Sequence, residues 1–364
     1  MKFIIAILIA ASSIFSQGHS ESEVQPEAVI PPADTAITDT TIKFVTIIGV
    51  GDMMLGTNYP AGHLPPDDGK YLLDSVKAIL MNADVTFGNA EGTYAGTKGK
   101  VKKCGNPKVC YAFRSPVHYA GYLKDAGFDM VSIANNHSGD FGDEGREVTM
   151  ESLGEYGLKY AGLLSCPTTV FEKDGIKYGL AAFAPNTGTV NIRDIDNAKK
   201  IVAGLDSVAD IVIVSFHGGG EGRANQHVTR KTEFYVGEDR GNVYEFSHAV
   251  IDAGADIVFG HGPHVTRALE LYNDRLICYS LGNFATYSRF SLTAESGVAP
   301  IVKVYTDTAG KFISGEIFPI KQEGEGIPMP DSSKWALKLL QELTKADFPE
   351  TPIVITDDGK IERK

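Results

Sequence analysis

What is scarce in this chain narrows it first. No cluster of lysine and arginine suggests a nucleic-acid-binding face, and the formal net charge is −12. The basic face that a nucleic-acid binder needs is therefore missing. An acidic surface also gives no long-range pull on a polyanion. Affinity for phosphate or polyglutamate has to be local, from bound cations or single arginines. Beyond residues 3–15 no run is apolar for long enough to cross a bilayer. No cysteine closely follows that run, which argues against a lipoprotein anchor. Only four cysteines are present and none forms a CxxC pair, which disfavours a thiolate metal site. No internal repeat is visible.

What is present suits a globular protein. The chain has 364 residues, 43% hydrophobic and 22% charged, enough for one large core or two modest ones. Residues 1–20 read as a secretory signal, with Lys2 as the charged region and residues 3–15 as the apolar region. Cleavage is expected after Ser16 or Ser20; retention as a membrane anchor is the alternative. The expectation is an exported protein, periplasmic or extracellular. Residues 21–41, rich in Glu, Pro, Thr and Asp, read as a disordered linker. Cys104 and Cys110 bracket a short turn-forming loop and are a disulfide candidate in an oxidising compartment. Cys166 and Cys278 read as buried thiols.

From residue 42 the pattern alternates. Apolar runs of strand length fall at 44–50, 83–87, 128–134, 168–173, 176–183, 210–216 and 255–259. Helical spacing falls at 71–81, 116–126, 144–156, 196–205 and 243–253. Turn signals at Asp174-Gly175, Asn273-Asp274 and Ala309-Gly310 mark hairpins. The spacing predicts an α/β fold of two mixed sheets packed face to face with helices outside, spanning residues 42–322. Residues 323–364 read as a C-terminal extension with one helix, capped by Asp331 or Ser332.

Short polar clusters stand straight after five of the apolar runs. Ligand sites in open α/β sheets lie beyond the carboxyl ends of strands, so these clusters are the candidate site. Asp52 follows Gly51. Asn89 and Glu91 lie two apart and point the same way if extended; Glu91 is the better bridge between two cations because it carries charge. Asn135-Asn136-His137 offers a carboxamide ligand and a proton donor. His217 ends an apolar strand and precedes three glycines, expected to let a ligand approach the backbone, and then Glu221. His261 and His264, three apart around Gly262-Pro263, form the strongest single signal. A turn or helix cap is the bland reading of Asp52, a solvated turn that of Glu91. Arg114, before a predicted helix start, is a candidate for binding a substrate anion.

With these residues assembled, the chain resembles the CapA family, the poly-γ-glutamate capsule-biosynthesis proteins of the calcineurin-like metallophosphoesterase superfamily. The resemblance covers roughly residues 43–320. It rests on Gly51-Asp52-Met53-Met54-Leu55-Gly56, Asn89-Ala90-Glu91-Gly92, Phe113-Arg114-Ser115-Pro116, Ala134-Asn135-Asn136-His137, His217-Gly218-Gly219-Gly220-Glu221, Gly260-His261-Gly262-Pro263-His264 and the closing stretch from Leu276 to Phe284. It implies a four-layer αββα sandwich and two divalent ions, of Mn, Fe or Zn. It implies Asp52 and His264 at a first metal, Glu91 as bridge with Asn89 beside it, and Asn136, His217 and His261 at a second. His137 matches the superfamily's catalytic acid. Three departures stand out. Met54 occupies the His place of the superfamily's Asp-x-His motif, an Asn/Glu pair replaces the usual second-motif Asp, and the last motif has an extra residue between its histidines. Glu221 is the available compensating donor. The resemblance implies hydrolysis of an anionic envelope polymer or a phosphoester, with membrane capsule-synthesis proteins as partners. The alternatives are a non-catalytic polymer-binding partner of a membrane synthase, or a phosphatase unrelated to capsule.

Overall fold

The computed structural model describes residues 44–103 and 110–364. The signal and linker expectations, and the Cys104–Cys110 pairing, lie outside the described residues.

In chain order the strands are β1 (Phe44–Met54), β2 (Val85–Ala90), β3 (Met130–Ser132), β4 (Lys159–Ala161), β5 (Thr168–Lys173), β6 (Ile176–Phe183), β7 (Ile211–His217), β8 (Phe234–Tyr235), β9 (Glu238–Asp239), β10 (Ile257–His261), β11 (Leu269–Tyr272), β12 (Arg275–Cys278), β13 (Asn283–Thr286), β14 (Val298–Asp307), β15 (Phe312–Glu323), β16 (Ile327–Pro330), β17 (Ile353–Ile355) and β18 (Lys360–Arg363). The helices are α1 (Asp74–Leu80), α2 (Tyr119–Asp125), α3 (Gly142–Glu155), α4 (Ile195–Asp206), α5 (Val243–Asp252) and α6 (Trp335–Asp347). The larger sheet runs β17-β18-β15-β14-β1-β2-β3-β4, with β13 beside β1 and β16 beside β15. The smaller runs β11-β12-β10-β7-β6-β5.

Burial explains why the apolar runs become strands. All of β7 is buried, and so is every residue of β1 after Phe44. A strand buried on both faces reads as a continuous apolar run rather than an alternation. The hairpin signals hold for the same local reason. Asp174 and Gly175 have φ of 54° and 80°, Asn273 and Asp274 of 47° and 62°, the left-handed pair that a tight two-residue turn requires.

Three apolar clusters define the layers. One lies between the sheets and includes Val45, Phe87, Ile213 and Phe259. The Phe87 and Phe259 rings stack across the interface at 5.5 Å. A second joins the outer face of the larger sheet to α1, α2 and α3 through Val76, Leu123 and Leu153. A third joins the smaller sheet to α4 and α5 through Val202, Phe246 and Val250. The order helix, sheet, sheet, helix is the αββα sandwich. Among the described residues no helix is long and apolar enough to cross a membrane.

The C-terminal residues are more than an appended helix. Strands β17 and β18 extend the larger sheet through β15, and β16 pairs the C-terminal end of β15 along the same edge, opposite β14. Helix α6 buries Leu337 and Leu340 in the inter-sheet core. Beside it, the Thr344 hydroxyl accepts from Leu269 N at 3.0 Å and the Thr351 hydroxyl from Leu271 N at 2.9 Å. The open edge of β11 is thus closed by side chains, as an edge strand needs. Helix α6 starts later than anticipated, with Lys334 in the N-cap place; Asp331, expected as the cap, lies four residues before Trp335 and accepts from its N–H at 2.9 Å.

If α6 is core, Leu340→Ala should cost about 2–5 kcal/mol. Its exposed neighbour Lys338→Ala should stay within about 0.5 kcal/mol. Chemical denaturation of both variants checks this; equal midpoints would make the C-terminal segment a dispensable attachment.

Candidate metal centre

The site is assembled by strand register. In the larger sheet β1 and β2 run parallel with Asp52 opposite Asn89. In the smaller sheet β7 and β10 run parallel with His217 opposite His261. Both pairs sit at carboxyl ends of their strands, and face-to-face packing brings the ends together. A bulge in β1 separates its pairing with Val85–Phe87 from its pairing with Asn89 and Ala90. The close approach of the Gly282 carbonyl makes Gly51 obligatory, since a Cβ there would stand 2.0 Å from that oxygen. The Asp52 N–H donates to the same carbonyl at 2.8 Å.

Donor atoms of Asp52, Glu91 and His217, all buried, lie within 4.8 Å of one another. His261 Nδ1 is 3.3 Å from Asp52 Oδ1. His264 Nδ1 lies 3.0 Å from Asp52 Oδ2 and 3.0 Å from Asn283 Oδ1. Its Nε2 is 3.6 Å from Glu91 Oε1. His264 has a left-handed backbone, φ 57°, a costly conformation for a residue with a side chain; the turn aims its ring between the two carboxylates. Asn136 Oδ1 is buried close by in sequence to His137, without a hydrogen-bond partner.

Asn89, expected among the metal donors, is engaged at both ends of its amide. Its Nδ2 donates to Asp52 Oδ1 at 2.8 Å, and its Oδ1 accepts from Asn135 Nδ2 at 3.2 Å. It orients the Asp52 carboxylate. Asn135 is the residue turned inward here; it also accepts from the His137 N–H at 3.0 Å. His137 Nε2 points to Glu91 Oε1 at 3.9 Å, while Nδ1 is 2.7 Å from Asp140 Oδ2. Lys102 Nζ reaches the other Asp140 oxygen at 2.5 Å, and Phe113 N donates to Asp140 Oδ2 at 2.7 Å. The Phe113 ring lies 4.3 Å from His137, and Phe290 lies 5.3 Å from His264. These rings wall one side of the site.

The electrostatics follow from burial. Burial pushes the Asp52 carboxyl up, but the imidazoles of His261 and His264 outweigh it and hold the carboxyl well below its usual range. Burial drives Glu91 well above the ordinary carboxyl range, against the pull of His264. Burial drives His217 well below the usual imidazole value. Burial also lowers His264, but the charges of Glu91 and Asp52 raise it to about 10. Without another cation, the His264 imidazolium carries the positive charge between two buried carboxylates.

The donor set fits divalent ions. Both Glu91 carboxylate oxygens, and both ring nitrogens of His217 and of His261, are buried without hydrogen-bond partners among the described residues. Buried polar atoms are nearly always paired; a carboxylate and two imidazoles, each imidazole with one lone pair to offer, left unpaired at one spot are the mark of a site built to hold cations. Oxygen and imidazole donors together suit Mn, Fe or Zn.

Arg114, the candidate for binding a substrate anion, and Glu221, the compensating donor, both have protein partners. Arg114 donates from Nε to Asn58 Oδ1 at 3.0 Å and from Nη1 to Lys98 O at 3.2 Å, and it lies over the Phe141 ring at 4.5 Å. Glu221 lies 3.2 Å from Arg240 Nη1. The glycine run after His217 does not open space for a ligand. A Cβ at Gly218 would stand 2.9 Å from Arg240 O, at Gly219 2.9 Å from Arg267 Nη1, and at Gly220 2.6 Å from Asn225 Cγ. The run is needed because protein packs against it.

Sequence reasoning did not single out Asp140, Asn283 or Arg240. Asp140 was within reach, three residues after His137 in a turn containing Gly139. Asn283 stands in the quoted closing stretch, where it became visible only through β13 pairing Asn283 with Asp52. Arg240 carries no local signal.

The family model described as bacterial capsule synthesis protein PGA_cap matches residues 46–288. Capsule biosynthesis protein CapA of Bacillus anthracis is 26% identical over 347 residues, covering 88% of this chain and 77% of that protein. PGA biosynthesis protein CapA of Bacillus subtilis (strain 168) is 26% identical over 313 residues, covering 81% and 77%. Among solved structures, a putative 5'-nucleotidase from Staphylococcus aureus is 13% identical with a TM-score of 0.43, covering 80% of this chain and 55% of that one. The matched segment takes in every metal-donor candidate from Asp52 to His264, and the chain belongs to the bacterial capsule synthesis protein PGA_cap family.

Proposed function

We propose that this protein is an exported metal-dependent hydrolase of capsule or poly-γ-glutamate metabolism, cleaving an anionic envelope polymer or a phosphoester. One observation carries the reading: Glu91, His217 and His261 are buried with no hydrogen-bond partner for their side chains among the described residues, beside an ionised Asp52. Removing a carboxylate from water costs several kcal/mol even after relaxation, so such a cluster persists for what it binds. The capsule context comes from the family and from relatives named for capsule and PGA biosynthesis. Export rests on the apolar N-terminal segment; N-terminal sequencing of protein recovered outside the cytoplasm tests it.

Asp52, Glu91, His217 and His261, with Asn136 Oδ1 and His264, would hold the ions. When bound, these supply Lewis-acid polarisation of a phosphoryl or carbonyl oxygen and a water of lowered pKa. The chain's own residues do the rest. Asn89 and Asn135 keep Asp52 in one orientation. Asp140 engages His137 Nδ1 at 2.7 Å, which leaves Nε2, on the side facing Glu91, as the nitrogen free to exchange a proton. There His137 serves to protonate the leaving oxygen or nitrogen. Phe113 and Phe290 limit water on that side and strengthen the charge interactions within.

A second reading, a non-catalytic partner that guides polymer for a membrane synthase, is favoured by one residue. Met54, 1% exposed, stands where the superfamily has an imidazole.

Calorimetric titration with Mn²⁺ should show binding to the wild type. Glu91→Gln and His217→Ala should each weaken it by more than the roughly 10–100-fold typical of changes outside the ligand shell. Unchanged affinity in both would remove the metal from the site. Protons compete at Glu91, whose pKa is raised, and at His264, raised to about 10. His217, lowered, is already neutral at pH 7. Binding therefore releases protons, and affinity should rise with pH between 6 and 8, by about tenfold per unit for each proton displaced. A flat profile contradicts the ligand assignment. His137→Gln should keep Mn²⁺ binding and lose about 10²–10⁴-fold in hydrolysis of poly-γ-glutamate or a phosphoester. Wild-type protein that binds metal and polymer but cleaves neither substrate class selects the second reading.

A further inference from the structure

Between His217 and α5 the chain makes an excursion, residues 221–241, containing the β8–β9 hairpin. A buried clamp fixes it. Arg267, wholly buried, pairs with Glu233 at 3.0 and 2.7 Å and donates to Gly220 O at 3.1 Å. Glu233 Oε2 accepts from Gly220 N at 2.8 Å. The hairpin's base is thereby tied to the glycine run beside His217.

Arg240 leaves this hairpin base. Its N–H donates to Glu233 O at 2.9 Å and its carbonyl accepts from Gly219 N at 3.0 Å. Its side chain is 3% exposed, yet only one of its nitrogens is satisfied: Nη1, 3.2 Å from Glu221 Oε1. Nε and Nη2 are buried with no hydrogen-bond partner among the described residues. Those two nitrogens lie on one edge of the planar guanidinium. Their N–H bonds run parallel, at the spacing that meets two oxygens of one carboxylate or phosphate. The charge is felt at the metal-donor cluster, where it opposes protonation of both His217 and Glu91.

We propose that the Nε–Nη2 edge of Arg240 is the anchoring fork of the site, receiving one oxyanion group of the substrate, either the carboxylate of a γ-glutamyl unit or a phosphoryl group. Glu221 is then a positioning residue: by holding Nη1 it turns the free edge away from itself. This inference rests on the hydrolase reading above and adds to it the group by which the substrate is held. It also moves anion recognition from Arg114, whose guanidinium is already engaged by Asn58 and Lys98, to a residue inside the fold.

The test uses the full chain as wild type, Arg240→Lys and Arg240→Gln, with thermal melts confirming folding. Inorganic phosphate and a γ-linked triglutamate are titrated by calorimetry into metal-free and Mn²⁺-loaded protein, and Mn²⁺ stoichiometry is measured separately by equilibrium dialysis. Arg240→Lys keeps the charge and the pairing to Glu221 but loses the fork. It should weaken the recognised probe by about tenfold or more, Arg240→Gln further, with Mn²⁺ stoichiometry unchanged. The probe that loses affinity tells carboxylate from phosphoryl. If Arg240→Gln does not fold, Arg240→Lys decides. Equal affinities in wild type and the folded variants, or no binding of either probe to wild type in either form, overturn the proposal. A wild type that takes no Mn²⁺, yet binds a probe in an Arg240-dependent way, sinks the metal reading and leaves this one standing.

Discussion

Two carboxylates buried at the ends of neighbouring parallel strands set the terms for the rest of this molecule. Asp52 and Glu91 are, respectively, 0% and 1% exposed, and water cannot offset their charge. Everything around them answers that demand. Asn89 donates to Asp52, and Asn135 holds Asn89. The His264 ring is wedged between both acids in a left-handed turn. His217 and His261 present lone pairs that no protein donor meets. Burial favours the protonated form of Glu91, so a proton or a metal cation can relieve the charge, and a low-dielectric setting makes any cation there strongly held.

The sandwich is what permits this burial. The large and small sheets each contribute one pair of strand ends, and neither sheet alone has enough donors for a centre. Their packing depends on contacts far from the chemistry. Phe87 stacks on Phe259, and Gly49 leaves room for that Phe259 ring, 2.3 Å from where a Cβ would stand. Helix α6 and its flanking threonines close the β11 edge. The C-terminal segment thus supports the sheet that carries His217 and His261, although it lies outside the matched family segment.

Around the centre, acids and bases are sorted by reach. Asp140, tied to Lys102 and Phe113 N, fixes one face of His137. Arg267 and Glu233 are consumed in fastening the excursion after β7. Arg240 keeps Nε and Nη2 buried without a partner among the described residues. The same excursion that fills the space along the glycine run therefore also delivers a cationic fork to the site. Buried ion pairs that are saturated act as struts; the one that is half saturated is available for recognition.

The sequence by itself determined the long apolar strands of both sheets, the hairpin turns, the face-to-face packing of two sheets and the strand-end clusters, but not the short strands β4, β8, β9, β16, β17 and β18. The former are local properties: apolar runs demand burial, and paired turn residues with left-handed backbone demand reversal. It also pointed to Asp52, Glu91, His217, His261 and His264 through their place after apolar runs. Tertiary structure alone decided the work each does. Asn89 could not be told from a ligand until its amide was seen bonded at both ends. Asn283 needed β13 to pair with β1. Arg114 and Arg240 are indistinguishable as letters, and one is engaged by its neighbours while the other keeps an unpaired edge. Those differences arise from packing between segments far apart in the chain, which no local pattern of residue types encodes.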